Sequence, residues 1–281
     1  MALFLFYNDT WLETQQPLVT AGNRGFRYGD GLFETLYVYN GAIRLQRYHF
    51  ERLFAGMQLL QLQLPEKYDA AYLSAQIAAL CQKNQHPAAR VRLTVFRGDG
   101  ALFDPPGAPA HCIIESQALP LPPAMPAAHN APLITGIFPH ARKSADAFSH
   151  LKSNNYLSSA MAALYARQQG WDDALLLNAE GRICESAIAN VFIARNGLLY
   201  TPPLSEGCVA GVMRRFMLEH LAAVGYTVAE RPVSVADIYA ADEVFCTNAL
   251  HPLRPVSCCD EARYSTRLGM EILEALRHVI R

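Results

Sequence analysis

Charge is scarce in this chain and neither sign dominates: charged residues fill 17% of its 281 positions, and the formal net charge is -1. That balance removes the electrostatic case for a nucleic-acid backbone or an anionic membrane surface as a partner. Long apolar runs are missing too. No stretch approaches the roughly 20 residues that cross a bilayer, and the start, Met1-Ala2-Leu3-Phe4-Leu5-Phe6-Tyr7, lacks a basic lead and meets Asn8-Asp9 at once. A first strand is expected there, not a secretion signal. The seven cysteines (81, 112, 184, 208, 246, 258 and 259) are odd in number and scattered, with no C-x-x-C pair. Neither a disulfide framework nor a metal-ligand pattern can be drawn from them, so reduced thiols in a cytoplasmic protein fit best. The adjacent Cys258 and Cys259 suggest no function.

What remains is an ordinary globular composition, 51% hydrophobic, long enough for one large or two medium domains. In the first part, strands are expected at Leu3 to Tyr7, Phe33 to Tyr39 and Ala42 to Leu45, the last two joined by Asn40-Gly41, a hairpin signal. Helices follow from His49 to about Gln61 and from Tyr68 to Gln82, then half-buried strands at Arg90 to Phe96 and Cys112 to Ser116. Four prolines within Gln117 to Pro126 exclude a helix or a central strand. We therefore expect a smaller α+β domain over residues 1–118, a linker over 119–127 and a larger domain over 128–281.

In the second part, Leu133 to Phe138 reads as a strand. Leu157, Ala160, Met161 and Leu164 then recur at helical spacing up to Gly170. Asp173 to Leu177 is a short buried strand, Asn178-Ala179-Glu180-Gly181 a turn, and Ile183 to Ile193 one or two further strands. A helix from Val212 to Gly225, a strand at Thr227 to Glu230, a small helix at Val235 to Tyr239, a strand at Glu243 to Cys246 and an amphipathic helix from Thr266 to Ile280 complete the chain. Strands and helices interleave without regular alternation, which points to two α+β domains with a site in the cleft between them.

Two residues stand out. Lys152 sits at a strand-to-helix junction beside Leu151 and Tyr156, where a lysine could be kept dry and lose its proton near neutrality. Glu185 is a lone acid at the front of a strand pair. Taken singly, each has a simpler reading, a surface lysine and a solvated strand acid.

Their setting changes this. Lys152-Ser153-Asn154-Asn155-Tyr156-Leu157 followed by Glu185-Ser186-Ala187-Ile188-Ala189-Asn190-Val191-Phe192 resembles the class IV aminotransferase family. Further blocks in that family's order are Tyr28-Gly29-Asp30-Gly31-Leu32-Phe33-Glu34-Thr35, His49-Phe50-Glu51-Arg52-Leu53, Tyr200-Thr201-Pro202-Pro203, Gly211-Val212-Met213-Arg214 and Cys246-Thr247-Asn248-Ala249. The resemblance implies the two-domain fold of D-amino acid aminotransferase-like enzymes, pyridoxal 5'-phosphate (PLP) as cofactor, and a homodimer.

By that resemblance Lys152 forms the Schiff base with PLP and shuttles the Cα proton. Glu185 pairs with the pyridine nitrogen, and Arg52 binds the cofactor phosphate, a role suited to a guanidinium. Arg52 read alone is an exposed helix arginine, although no acid stands three or four residues away. Gly211, Val212 and Met213 open a helix, where free N–H groups favour a phosphate. Thr247 and Asn248 resemble a second phosphate-binding turn, and Tyr156 is either a partner of the ring oxygen or a core tyrosine. Tyr28, Arg97 and Ala249 are the candidates for substrate contact, with Arg254 a lesser one; no metal site is expected.

The family divides between amino-group transfer and the release of pyruvate from aminodeoxychorismate to leave p-aminobenzoate. The Arg-x-His motif of D-amino acid aminotransferases is absent after Arg97-Gly98, and Thr35 stands where branched-chain aminotransferases typically have glycine. Gly211 to Phe216 and Cys246 to Pro252 look most like aminodeoxychorismate lyases of the folate pathway. That activity is expected, with branched-chain amino-group transfer the alternative and a non-catalytic PLP-binding protein a remote one.

Overall fold

The computed structural model describes residues 3–104, 109–121 and 131–280. Residues 122–127 of the expected linker lie outside the described residues, while Gln117 and Ala118, the first residues of the proline-bearing stretch, end a strand. The chain forms two compact units, and the division does not simply follow sequence: Lys152–Asn155 belongs with the first unit, and the residues before and after it belong to the second.

The first unit is a six-stranded sheet. Its strands are β1 (Phe4–Tyr7), β2 (Thr10–Glu13), β3 (Gly31–Tyr39), β4 (Ala42–Ile43), β5 (Ala88–Arg97) and β6 (Ala110–Ala118), in the order β2-β1-β6-β5-β3-β4. The helices α1 (Arg24–Tyr28), α2 (Gln46–Leu59) and α3 (Ala70–Lys83) accompany it. Asn8 and Asp9 both adopt positive φ, at 44° and 68°, and so turn β1 back into β2. Alternation drives the long β3–β5 pairing, which runs from Gly31↔Phe96 to Tyr39↔Ala88 and leaves Leu36, Val38, Val91, Leu93 and Val95 fully enclosed. The short β4 covers only Val38 and Tyr39 of β3. At the other end of β3, Phe33 N–H donates to Lys152 O and Asn154 N–H to Gly31 O, each at 2.9 Å.

The second unit is a nine-stranded sheet. It comprises β7 (Leu133–Lys143), β8 (Asp173–Asn178), β9 (Ile183–Ser186), β10 (Asn190–Arg195), β11 (Leu198–Thr201), β12 (Val228–Glu230), β13 (Glu243–Thr247), β14 (Arg254–Cys259) and β15 (Ala262–Arg263), with helices α4 (Leu157–Gln168), α5 (Val212–His220), α6 (Val235–Tyr239) and α7 (Arg267–Leu276). The order is β12-β11-β10-β13-β14-β7-β8-β9, with β15 on β14. Every residue of β8 is buried, as its unbroken apolar run requires. One core gathers Leu175, Ile183, Val191, Ile193, Val244 and Val256; a second joins Phe138, Ala162, Ala166, Leu176 and Ala187.

The stripe that announces α4 in the sequence faces outward. Leu157 is 75% exposed and Met161 and Leu164 about half, whereas the buried side is Ser159, Ala162 and Ala166. Small residues let α4 approach β8 closely, and Tyr165 and Trp171 close the gap around Gly136, where an added Cβ would strike the Trp171 ring. The helix expected over Val212 to Gly225 stops at His220, and a 3₁₀ turn at Ala222–Val224 leads into Gly225 at φ 89°. β7 runs on beyond Phe138 to Lys143, after its register against β8 shifts between Ile137 and Arg142. No helix among the described residues is long and apolar enough to cross a membrane, and all seven cysteines are free and buried.

Candidate active site

In the first unit the candidates converge on the start of β3. Gly31 permits the approach of the Lys152 segment: a Cβ there would lie 2.6 Å from Asn154 Nδ2 and 2.8 Å from Val95 O. Gly29, at φ 66°, is likewise pressed by Asn155. With its backbone fixed on β3, Lys152 sets its Nζ 4.5 Å from the centroid of the Phe33 ring. The neighbouring Glu34 points into the interior. Its carboxylate accepts from Arg52 Nε at 2.8 Å and Arg52 Nη2 at 2.5 Å, and from His49 Nδ1 at 2.6 Å. Burial alone would raise the pKa of Glu34, but Arg52 and His49 outweigh it and bring it down to about 2. Burial acts on His49 in the other direction, lowering its pKa against the pull of Glu34. The imidazole is therefore neutral, with its proton on Nδ1 and a buried, unpartnered Nε2.

Sequence reasoning singled out Lys152 and Arg52 and passed over Glu34 and His49, which the structure joins to Arg52. A signal was there: the two lie in the same blocks, Phe33-Glu34-Thr35 and His49-Phe50-Glu51-Arg52, and a buried arginine requires an acid.

Arg97, expected at the substrate, is drawn inward. Its Nε donates to Asp30 Oδ2 at 2.9 Å, and its Nη groups donate to Leu60 O at 2.6 Å and Gln61 O at 3.2 Å. Arg24 binds the same Asp30 oxygen. The guanidinium at 97 thus ties α1, β5 and the end of α2 together. Tyr28, at the end of α1, is 40% exposed.

In the second unit Glu185 lies on β9, 4% exposed, with Val209 N–H on Oε2 at 2.9 Å and the Lys143 ammonium on Oε1. Lys143 is a third residue that sequence reasoning did not find. Tyr156 donates its phenol proton to Ala187 O at 2.8 Å, which couples it to the turn following Glu185. Beneath that turn Asp173 accepts from Ala174 N–H and Ala187 N–H, and burial raises its pKa to about 6. Burial also pushes the thiols of Cys184 and Cys208 up to about 12, so neither is a poised nucleophile.

α5 starts at Gly211 with no side chain capping it. The glycine is required by contact, since its φ is an ordinary -63° but a Cβ would overlap Asn190 Oδ1. That amide is pinned, its Nδ2 donating to Val209 O at 2.8 Å. The first N–H groups of α5, at Val212 and Met213, therefore open a helix of nine residues whose dipole favours an anion. Thr247 ends β13 with its Oγ1 buried and without a hydrogen-bond partner. Asn248 Oδ1 accepts from Leu250 N–H at 3.0 Å and His251 N–H at 2.8 Å, closing the turn that carries Ala249. Arg254 donates Nη2 to Ala131 O.

An uncapped helix start and an orphaned buried hydroxyl suit an anionic group, and Glu185 suits a cationic ring nitrogen; both fit PLP. No cluster of metal-ligating residues occurs among the described residues.

Comparison with known proteins agrees with this chemistry. Residues 31–259 match the family model for amino-transferase class IV. A putative branched-chain-amino-acid aminotransferase of Methanocaldococcus jannaschii is 28% identical over 97% of this chain and 93% of its own. An aminodeoxychorismate lyase of Vibrio harveyi is 27% identical over 90% of each. The crystal structure of 4-amino-4-deoxychorismate lyase from Pseudomonas aeruginosa superposes with a TM-score of 0.82, 29% identity and 98% coverage of both chains. The chain belongs to the class IV aminotransferase family, whose members are PLP-dependent enzymes.

Proposed function

We propose that this enzyme is a 4-amino-4-deoxychorismate lyase, releasing pyruvate and leaving p-aminobenzoate for folate synthesis in the cytoplasm. The observation that carries the choice is the turn from Thr247 to Pro252. Its sequence is the block most like the lyases, and Asn248 fixes its backbone through two N–H bonds. The 29% identity with the Pseudomonas lyase over 98% of both chains supports the same reading. The similarity to the Methanocaldococcus protein favours a second reading, branched-chain amino-group transfer.

Arg52, the N–H groups of Val212 and Met213, and the Thr247 hydroxyl would hold the phosphate of PLP, with Gly211 giving access and Asn248 shaping the turn. Glu185 would accept from the ring nitrogen and Tyr156 would face the ring oxygen. Bound in this way, PLP supplies the electron sink for the carbon that carries the substrate amine. Lys152 Nζ is the residue that takes the proton from that carbon, its position set by the two backbone bonds to β3. Loss of that proton lets the substrate ring become aromatic as its side chain leaves as pyruvate. Tyr28 and Ala249 are assigned to substrate contact. A homodimer belongs to this reading, supported by the exposed stripe of Leu157, Met161 and Leu164, and sedimentation velocity would return a monomer if it is wrong.

The test is a paired assay on the cofactor-loaded protein, with aminodeoxychorismate as substrate beside single-turnover exposure to L- and D-amino acids. p-Aminobenzoate and pyruvate formed together, and lost in Lys152→Ala, establish the lyase. Conversion of the cofactor to its amine form by an amino acid, reversed by a keto acid and without pyruvate release from aminodeoxychorismate, establishes the aminotransferase instead.

A further inference from the structure

The ammonium of Lys143 on Glu185 has no place in the roles given so far. Three observations define it. The irregularity in β7 between Ile137 and Arg142 brings Lys143 opposite Asn178 of β8, while Glu185 of β9 is opposite Leu176, two residues along the same strand. Residues two apart on a strand share a face, so Lys143 and Glu185 flank β8 on one side of the sheet, on strands about 10 Å apart. A lysine and a glutamate are together long enough to meet across that span, and they do. Lastly, the pair is withdrawn from water, with side chains 15% and 6% exposed, and the two oxygens of Glu185 are divided between Lys143 and the backbone N–H of Val209.

An acid that serves only to hold a ring nitrogen needs no ammonium. A buried ammonium on the same carboxylate competes for its charge and repels the positive end of any other N–H donor brought to it. We propose that Lys143 is a positioning residue: it fixes the direction of the Glu185 carboxylate and divides its charge, so that the cofactor's ring nitrogen holds its proton less tightly than an unshared carboxylate would make it. This rests on the assignment of Glu185 to the ring nitrogen. It adds a tuning element reached from a different strand.

The experiment loads the full-length protein with PLP labelled with nitrogen-15 in the ring and reads the ring resonance, whose shift reports where the proton lies. Wild type is compared with Lys143→Met, Lys143→Arg and Glu185→Gln. In Lys143→Met the resonance is expected to move toward the fully protonated limit, while Lys143→Arg, which keeps the charge, stays with wild type. Glu185→Gln moves the opposite way and weakens cofactor binding roughly tenfold, the loss of one charge-assisted hydrogen bond. Should Lys143→Met not fold, Lys143→Gln carries the same comparison. A merely structural ion pair would alter stability and leave the ring resonance unchanged in the uncharged variant, and that result overturns the proposal. A shift of Lys143→Met in the same direction as Glu185→Gln overturns it as well, because Lys143 would then strengthen the hold on the proton. If Glu185→Gln itself leaves the resonance in place, it is the assignment of Glu185 that has failed.

Discussion

Replacing Glu34 by glutamine removes one charge and hardly any volume, so it isolates what that carboxylate does. Glu34 ionises at about 2 in the folded protein against an ordinary 4.5, and each unit corresponds to about 1.4 kcal/mol, giving about 3 kcal/mol of stability from the ion cluster. The same order follows from leaving the Arg52 guanidinium and the His49 Nδ1–H without their charged partner in a buried site. Because the folded value is depressed, this stability is fully present above pH 4.5 and is lost as pH falls from 4.5 toward 2. The two tryptophans make a clean assay possible: Trp11 lies in the first unit and Trp171 in the second, and Trp11 packs edge-on to the buried Phe6. With Trp171→Phe as background, urea unfolding of the first unit can be followed by Trp11 fluorescence. Glu34→Gln should be less stable by about 3 kcal/mol at pH 7, with the difference nearly unchanged at pH 5.5 and narrowing below pH 4. A difference under about 1 kcal/mol at pH 7, or one that stays constant down to pH 3, would refute the claim that the Glu34 charge holds the cluster together.

Three further outcomes follow from the geometry. Gly211→Ala puts a methyl against the pinned Asn190 amide and should weaken PLP binding by at least about tenfold, about 1.4 kcal/mol, with the circular dichroism unchanged; undiminished affinity in a fluorescence titration of the cofactor-free protein would dismiss α5 as a phosphate site. Arg97→Ala should cost about 2–3 kcal/mol of stability through loss of Asp30 and two carbonyl partners, while the apparent KM of the cofactor-loaded enzyme changes by less than about threefold; a large KM effect at unchanged stability would restore Arg97 to the substrate. Asp173 has its pKa raised by burial from 3.8 to about 6, so the folded state binds the extra proton and stability from this group falls as pH rises from 3.8 through 6. Asp173→Asn should therefore be more stable than wild type by about 3 kcal/mol at pH 7.5 and no more stable at pH 4, as read from thermal unfolding.

Much of this protein is legible in its sequence because periodicity and turn chemistry are strong where the sheets are regular. β3 with the Asn40-Gly41 turn, β5 and β8 follow from alternation and turn residues, the family follows from ordered blocks, and the stretch Ile183 to Ile193, open in sequence between one strand and two, divides into β9 and β10. The parts that escaped have physical reasons. α1 is five residues long with no buried member, so it has no apolar period; Asn23, whose side chain accepts from Phe26 N–H, is its only signal. β2 hides because the Asn8-Asp9 turn reads as the end of a strand. The buried face of α4 is hidden from the sequence because close packing on a sheet selects alanine and serine, which carry little hydrophobic signal, and leaves leucine outside. Lys143 could not be assigned because its partner depends on a shift of register, and register is a property of two strands together. The ion pair of Arg97 escapes the sequence because Asp30 lies far away along the chain and meets it only through the β3–β5 ladder.

The four residues Lys152–Asn155 complete the edge of a sheet encoded almost wholly by the first 118 positions, yet they are written well inside the second part of the gene. A gene cut in the proline tract would give one fragment with a bare edge at Gly31 to Phe33 and no Lys152 segment to pair with it. The other fragment would carry that lysine with no strand to lie on. Neither piece is a portable module, so exchange of parts between relatives by simple recombination at the linker must carry compatible strand edges on both sides.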